Sequence, residues 1–113
     1  MRVEFLILPN GKKPAEEFFE ALDDSALAKI HKLFEVWQSG ERLFFPHVKK
    51  LEGYKHLWEL RVSSRVGAIR VFYVYGSHDN VILISGFIKK SQKTPWRELA
   101  KAASYLKQMG VEV

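Results

Sequence analysis

Three sheet-forming runs, at about 56–62, 67–75 and 81–89, follow one another with only a few residues between them. Connections that short cannot carry a chain back across a sheet, so neighbouring runs must pair antiparallel. Gly67 opens the second run, and Gly76-Ser77-His78-Asp79-Asn80 turns it into the third. Charges stand inside these runs rather than only at their ends. Along the first, Leu57, Glu59 and Arg61 share one face while Trp58, Leu60 and Val62 share the other. A helix-covered face takes the apolar set, which leaves Glu59 and Arg61 on an open face. Arg70 sits between Ile69 and Val71, so it has to reach solvent, a carboxylate or a ligand phosphate. Glu59 is its internal partner in this pattern.

The flanking segments supply the helices. Val3–Leu8 reads as a first strand, stopped by Pro9-Asn10-Gly11. Pro14 suits a first helical position, and Ala15, Phe18, Phe19 and Leu22 then form one apolar face. Asp23-Asp24-Ser25 offers caps for a second helix, whose stripe of Leu27, Ile30, Leu33, Phe34 and Trp37 ends near Ser39-Gly40. The short link between them predicts an antiparallel helical hairpin. Thr94 as N-cap and Pro95 at N1 start a last helix, with Trp96, Leu99, Ala100, Ala103 and Leu106 as its buried stripe. The expected fold is one α+β domain over residues 1–113. An N-terminal strand and helical hairpin precede a three-stranded antiparallel sheet and a C-terminal helix, with the helices packed on the sheet. Trp37, Trp58 and Trp96 are expected in the core. Tyr73 and Tyr75, opposite in face to Arg70, are expected to pack, one of them at a rim.

Charge narrows the function classes. Residues 1–46 hold 6 Lys/Arg against 8 Asp/Glu, whereas residues 47–113 hold 12 against 5, within a total of +5. An acidic scaffold half and a basic working half fit a polyanion as partner, although a generic basic surface has the same composition. The chain has no cysteine, which excludes disulfides, thiolate zinc sites and thiol catalysis, and is compatible with a reducing cytoplasm. No apolar run approaches the roughly 18 residues of a membrane span. The start, Met1 to Pro9, is too short in apolar length for a signal peptide, carries Glu4 and lacks a small-residue cleavage site. The reading is an intracellular, cytoplasmic, unprocessed protein without a membrane partner. His47 and His56 flank Lys49-Lys50 and can reach the open face; His78 belongs to a turn and His31 to an exposed helix surface. No His pair has the i, i+4 spacing of a helical metal site, so neither metal nor cofactor is expected.

Three segments together carry a family likeness: Leu57-Trp58-Glu59-Leu60-Arg61, the strand Arg70-Val71-Phe72-Tyr73, and Gly86-Phe87-Ile88-Lys89-Lys90-Ser91-Gln92-Lys93-Thr94-Pro95. With them the chain resembles the phage Gp49-like (HigB-type) branch of the RelE/ParE toxin superfamily, over residues 45–107 in detail and over the two N-terminal helices in pattern. The resemblance implies the toxin half of a type II toxin–antitoxin pair. Such a toxin is a small metal-independent endoribonuclease that cuts messenger RNA, often on the ribosome, and is masked by a helix-turn-helix antitoxin.

That chemistry needs a base for the ribose 2′-OH, cations for the charged phosphorane and an acid for the departing 5′-oxygen. The resemblance assigns Arg70 to the scissile phosphate, Lys90 (with Lys89 as rival) to a second phosphate contact, and Arg61 to a basic position on the same face. Glu59 stands where better-known RelE proteins carry lysine; it is either the base or a carboxylate that orients an arginine. Lys49, Lys50, Lys89 and Lys93 are the expected RNA-binding cations, with Lys89, Lys90 and Lys93 alternatively belonging to a solvated helix-entry loop. No aromatic residue follows Lys90 before Trp96, so the tyrosine of the usual late position is missing. The rival reading is a basic RNA-binding module without catalysis, or an inactive toxin relic.

Overall fold

The computed structural model describes residues 1–90, 93 and 95–113. The elements run β1 (Arg2–Phe5), α1 (Pro14–Glu20), α2 (Asp24–Gln38), β2 (Val48–Lys50), β3 (Trp58–Ser64), β4 (Gly67–Tyr75), β5 (Asn80–Lys89) and α3 (Trp96–Gln108). Among the described residues all strands join one sheet in the order β1-β5-β4-β3-β2. The antiparallel core β3-β4-β5 is as expected, but the sheet has five strands and is mixed. Parallel pairing needs a long connection, and β1 has one, because most of the chain lies between it and its partner β5, with Arg2 opposite Asn80 and Phe5 opposite Leu83. The edge strand β2 forms from the Lys49-Lys50 segment, with Val48 opposite Leu60 and Lys50 opposite Trp58.

The second correction concerns the helices. They do not share one side of the sheet. Ala15 and Phe19 of α1 and Ile30, Phe34 and Trp37 of α2 pack on Leu60, Val62, Ile69, Val71, Tyr73 and Leu83. Ala102 and Leu106 of α3 pack on the reverse side, against Phe72, Val74, Ile84 and Phe87. Strand β4, covered on both faces over much of its length, therefore reads as a nearly continuous apolar run interrupted by Arg70. Gly86 lets α1 approach closely, since a Cβ there would overlap the ring of Phe18.

Helix α1 starts with Pro14 in its first turn, and Asp23 caps α2 by accepting a hydrogen bond from Ala26 N at 2.8 Å. At α3 the expectation slips. Pro95 occupies the N-cap position rather than N1, and the expected Thr94 cap lies outside the described residues, as do Ser91 and Gln92. The helix buries Ala102 and Leu106, with Leu99 and Tyr105 half-buried beside them. Trp96 is 72% exposed and Ala100 is exposed, so neither belongs to the core. Trp37 and Tyr73 are fully buried and meet edge to face at 4.9 Å between centroids. Burial, with the nearby Tyr75 phenol adding to it, pushes the Tyr73 hydroxyl well above its ordinary pKa.

Candidate nucleic-acid interface

Register brings the two strand arginines together. Arg61 of β3 lies directly opposite Arg70 of β4, and Phe87 of β5 lies opposite Arg70 on its other side. Side chains alternate along a strand, so Glu59, two residues before Arg61, shares their face. Its carboxylate oxygen Oε1 stands 3.6 Å from Arg70 Nε and 3.9 Å from Arg61 Nε. Those are ion-pair separations rather than hydrogen bonds, and neither arginine Nε has a hydrogen-bond partner. Arg70 donates from Nη1 to the Ile69 carbonyl at 3.0 Å. Burial lowers the Arg70 pKa from its ordinary value, and the neighbouring Arg61 charge lowers it further, while Glu59 acts the other way. Two guanidinium groups thus share one carboxylate, and one positive charge is left over with donors unused.

The expected open face is correspondingly less open. Glu59 is only 3% exposed. Arg61 is the partly exposed member, its side chain retaining 26% of its accessibility. The loop before β2 holds it in place: Arg61 N donates to the His47 carbonyl at 2.8 Å, and the Phe45 ring lies 5.5 Å from its guanidinium carbon. Both arginines line a cavity of about 470 Å³ with Pro46, His47, Val62 and Ser63. Around the edge of β3 beyond β2, α2 adds Lys29, Lys32 and Leu33 from the other side of the sheet. Lys29 Nζ donates to the Ser63 carbonyl at 3.0 Å, beyond the short pairing of β2 with β3.

Lys29 and Lys32 were not among the expected site residues. They come from the half of the chain where acidic residues outnumber basic ones, which removes the simple division into scaffold and working halves. The available signal was their i, i+3 spacing beside the apolar stripe of α2. Of the expected residues, Arg61 and Arg70 reach this cavity, with Glu59 paired to them. Lys49 lies opposite Glu59 on the same face. Lys50 points to the other face, opposite Trp58, and its Nζ donates to the Tyr54 carbonyl at 2.7 Å. Lys89 stands opposite Ala68, one row beyond the arginines on their face. Lys90 and Lys93 are exposed after β5. None of these five lysines lines the cavity. His47 does; His56 is exposed and does not.

The family model described as Phage derived protein Gp49-like (DUF891) matches residues 17–107. The chain belongs to this Gp49-like family. The match begins inside α1 and ends inside α3, so it takes in the whole cavity and extends N-terminally beyond the segment on which the sequence likeness rested. The family is associated with RelE-type toxins, which suggests a toxin–antitoxin context with an antitoxin partner. No curated protein matches the chain. Among the described residues, no helix is long and apolar enough to cross a membrane.

Proposed function

We propose that the chain is the toxin of a type II toxin–antitoxin system, a metal-independent endoribonuclease that cuts messenger RNA on the ribosome in the cytoplasm. The observation that carries the reading is the cross-strand Arg61–Arg70 pair over buried Glu59, opening into a cavity walled by Lys29 and Lys32. Fixed guanidinium donors can take two non-bridging phosphate oxygens and stabilise the charge that develops on them. In the reaction the 2′-oxygen bonds to phosphorus and the bond from phosphorus to the 5′-oxygen breaks. A base removes the 2′-OH proton and an acid returns one to the 5′-oxygen, leaving a 2′,3′-cyclic phosphate.

In this reading Arg70 and Arg61 hold the scissile phosphate, and Lys29 and Lys32 hold the strand beside it. Glu59, buried between two cations, orients the arginines; His47, exposed on the cavity wall, takes the 2′-OH proton. Lys90, Lys89, Lys93 and Lys49 lie outside the cavity and bind flanking phosphates or ribosomal RNA. A helix-turn-helix antitoxin is the partner that masks the site.

A binding module without turnover is the second reading, favoured by one observation: Glu59, the carboxylate that pairs with both arginines, is nearly inaccessible. Expression from a tightly repressed promoter, followed by growth curves and primer extension on cellular messages, separates the two. Growth arrest with discrete, translation-dependent cuts is the expected result. Normal growth with soluble protein and intact messages contradicts it and favours the module.

A further inference from the structure

The segment of residues 42–48, the loop before β2 and its first residue, separates the arginine cavity from a second one of about 530 Å³. Pro46 and His47 line the first; Phe44, Phe45 and Val48 line the second. The second cavity is built of flat rings. Phe44 and Phe45 are 70% and 71% exposed. Trp58 and Tyr75 complete it from β3 and β4, edge to face at 5.6 Å between centroids. Its side-chain charges are Arg42, Lys49 and Lys50, Met1 and Leu43 add to its lining, and among the described residues no Asp or Glu lines it.

Rings whose charged neighbours, among the described residues lining the cavity, are cations match one partner chemistry well. Nucleobases stack on aromatic side chains whatever their identity, while the phosphates between them meet the cations. A carboxylate-rich peptide would use the cations but not the flat rings, and an apolar peptide would leave three cations uncompensated. Continuity with the arginine site points the same way. Phe45 lines the second cavity and also lies against Arg61.

We propose that the second cavity is a base-stacking subsite for single-stranded RNA, seating a nucleobase adjacent to the phosphate held by Arg61 and Arg70. The proposal rests on the RNA-cleaving reading of the first cavity and deepens it. Stacking is supplied from the loop before β2, in a chain with no aromatic residue between Lys90 and Trp96. Lys49 and Lys50 then hold the phosphates on either side of the stacked base.

The test is fluorescence anisotropy on the full chain with two labelled strands of equal length. One is a 2′-O-methyl RNA, which cannot be cut because its 2′-oxygen is blocked; the other is the same backbone without bases. Phe44→Ala alters an exposed side chain, and a thermal melt checks its fold. The variant should bind the base-bearing strand about 5- to 150-fold more weakly, the loss of one stacked base, and the abasic strand within about twofold of the parent protein. Phe44→Trp should restore binding. Equal losses on both strands would overturn the proposal, and so would unchanged binding of both. Unchanged RNA binding together with lost antitoxin binding would assign the cavity to a protein partner and overturn it as well. The expected binding pattern in a protein that leaves unmodified RNA intact would uphold the subsite and remove only the endonuclease reading.

Discussion

On the face beneath α1 and α2, strands β3 and β4 contribute Leu60, Val62, Ile69 and Val71, all buried in one apolar cluster. On the other face the same two strands contribute Glu59, Arg61 and Arg70, which pair with one another. One pleated backbone thus carries a core and a candidate site, each one residue out of step with the other. The apolar face draws its stability from area removed from water. The ions themselves add little, because desolvating them offsets much or all of what their attraction contributes, and the apolar cluster under α3, with Phe72 opposite Glu59 and Phe87 opposite Arg70, borders them on their own face. The strands that carry its cations are packed by one core on their far side and by the α3 cluster beside the arginines, and rigidity of this kind is what an anion site requires.

The comparison breaks most visibly if substitutions on the two faces have the same consequence. Leu60→Ala should cost about 2–5 kcal/mol of folding stability, read from the urea midpoint. Arg70→Ala should lower RNA cleavage by about 100- to 1000-fold, the range for removing one donor to a developing anion. Its effect on the urea midpoint should be smaller than that of Leu60→Ala, and equal midpoints would mean that Arg70 is chiefly structural. Glu59→Ala leaves two guanidinium groups facing each other with little solvent, at a cost of about 3 kcal/mol. Combining Glu59→Leu with Arg70→Met should recover most of that stability while RNA cleavage stays low, which calorimetry and a cleavage assay would separate. The smallest effect belongs to the helix wall. Lys29→Ala or Lys32→Ala should each flatten the dependence of log affinity on log salt by about 0.7 for a single strand, with stability unchanged.

The parts of the fold that were legible are the local ones. Alternation and turn residues mark β3, β4 and β5, and the same alternation puts Glu59 and Arg61 together on one face. The pairing of β1 with β5 was not legible, because it joins residues 2–5 to residues 80–83 and no local signal reports so distant a partner. Strand β2 is three residues long with two lysines, and its pairing depends on β3 already being in place. In α3 the alanines at 100, 102 and 103 leave the phase of the apolar stripe undecided. Trp96 drew the expected stripe towards itself, whereas the helix buries Ala102 and Leu106. The site was legible in its arginines but not in its walls. Opposition of Arg61 to Arg70 follows from hairpin register, and Lys29 and Lys32 sit on a helix where lysines ordinarily face water.

The most direct test of the central claim is to map RNA 3′ ends bearing 2′,3′-cyclic phosphate in cells expressing the parent chain or a folded Arg70→Ala variant. The account predicts such ends at discrete positions in messages with the parent chain and none above background with the variant. Ends carrying a free 3′-hydroxyl, or the same cyclic-phosphate ends with both proteins, would contradict it.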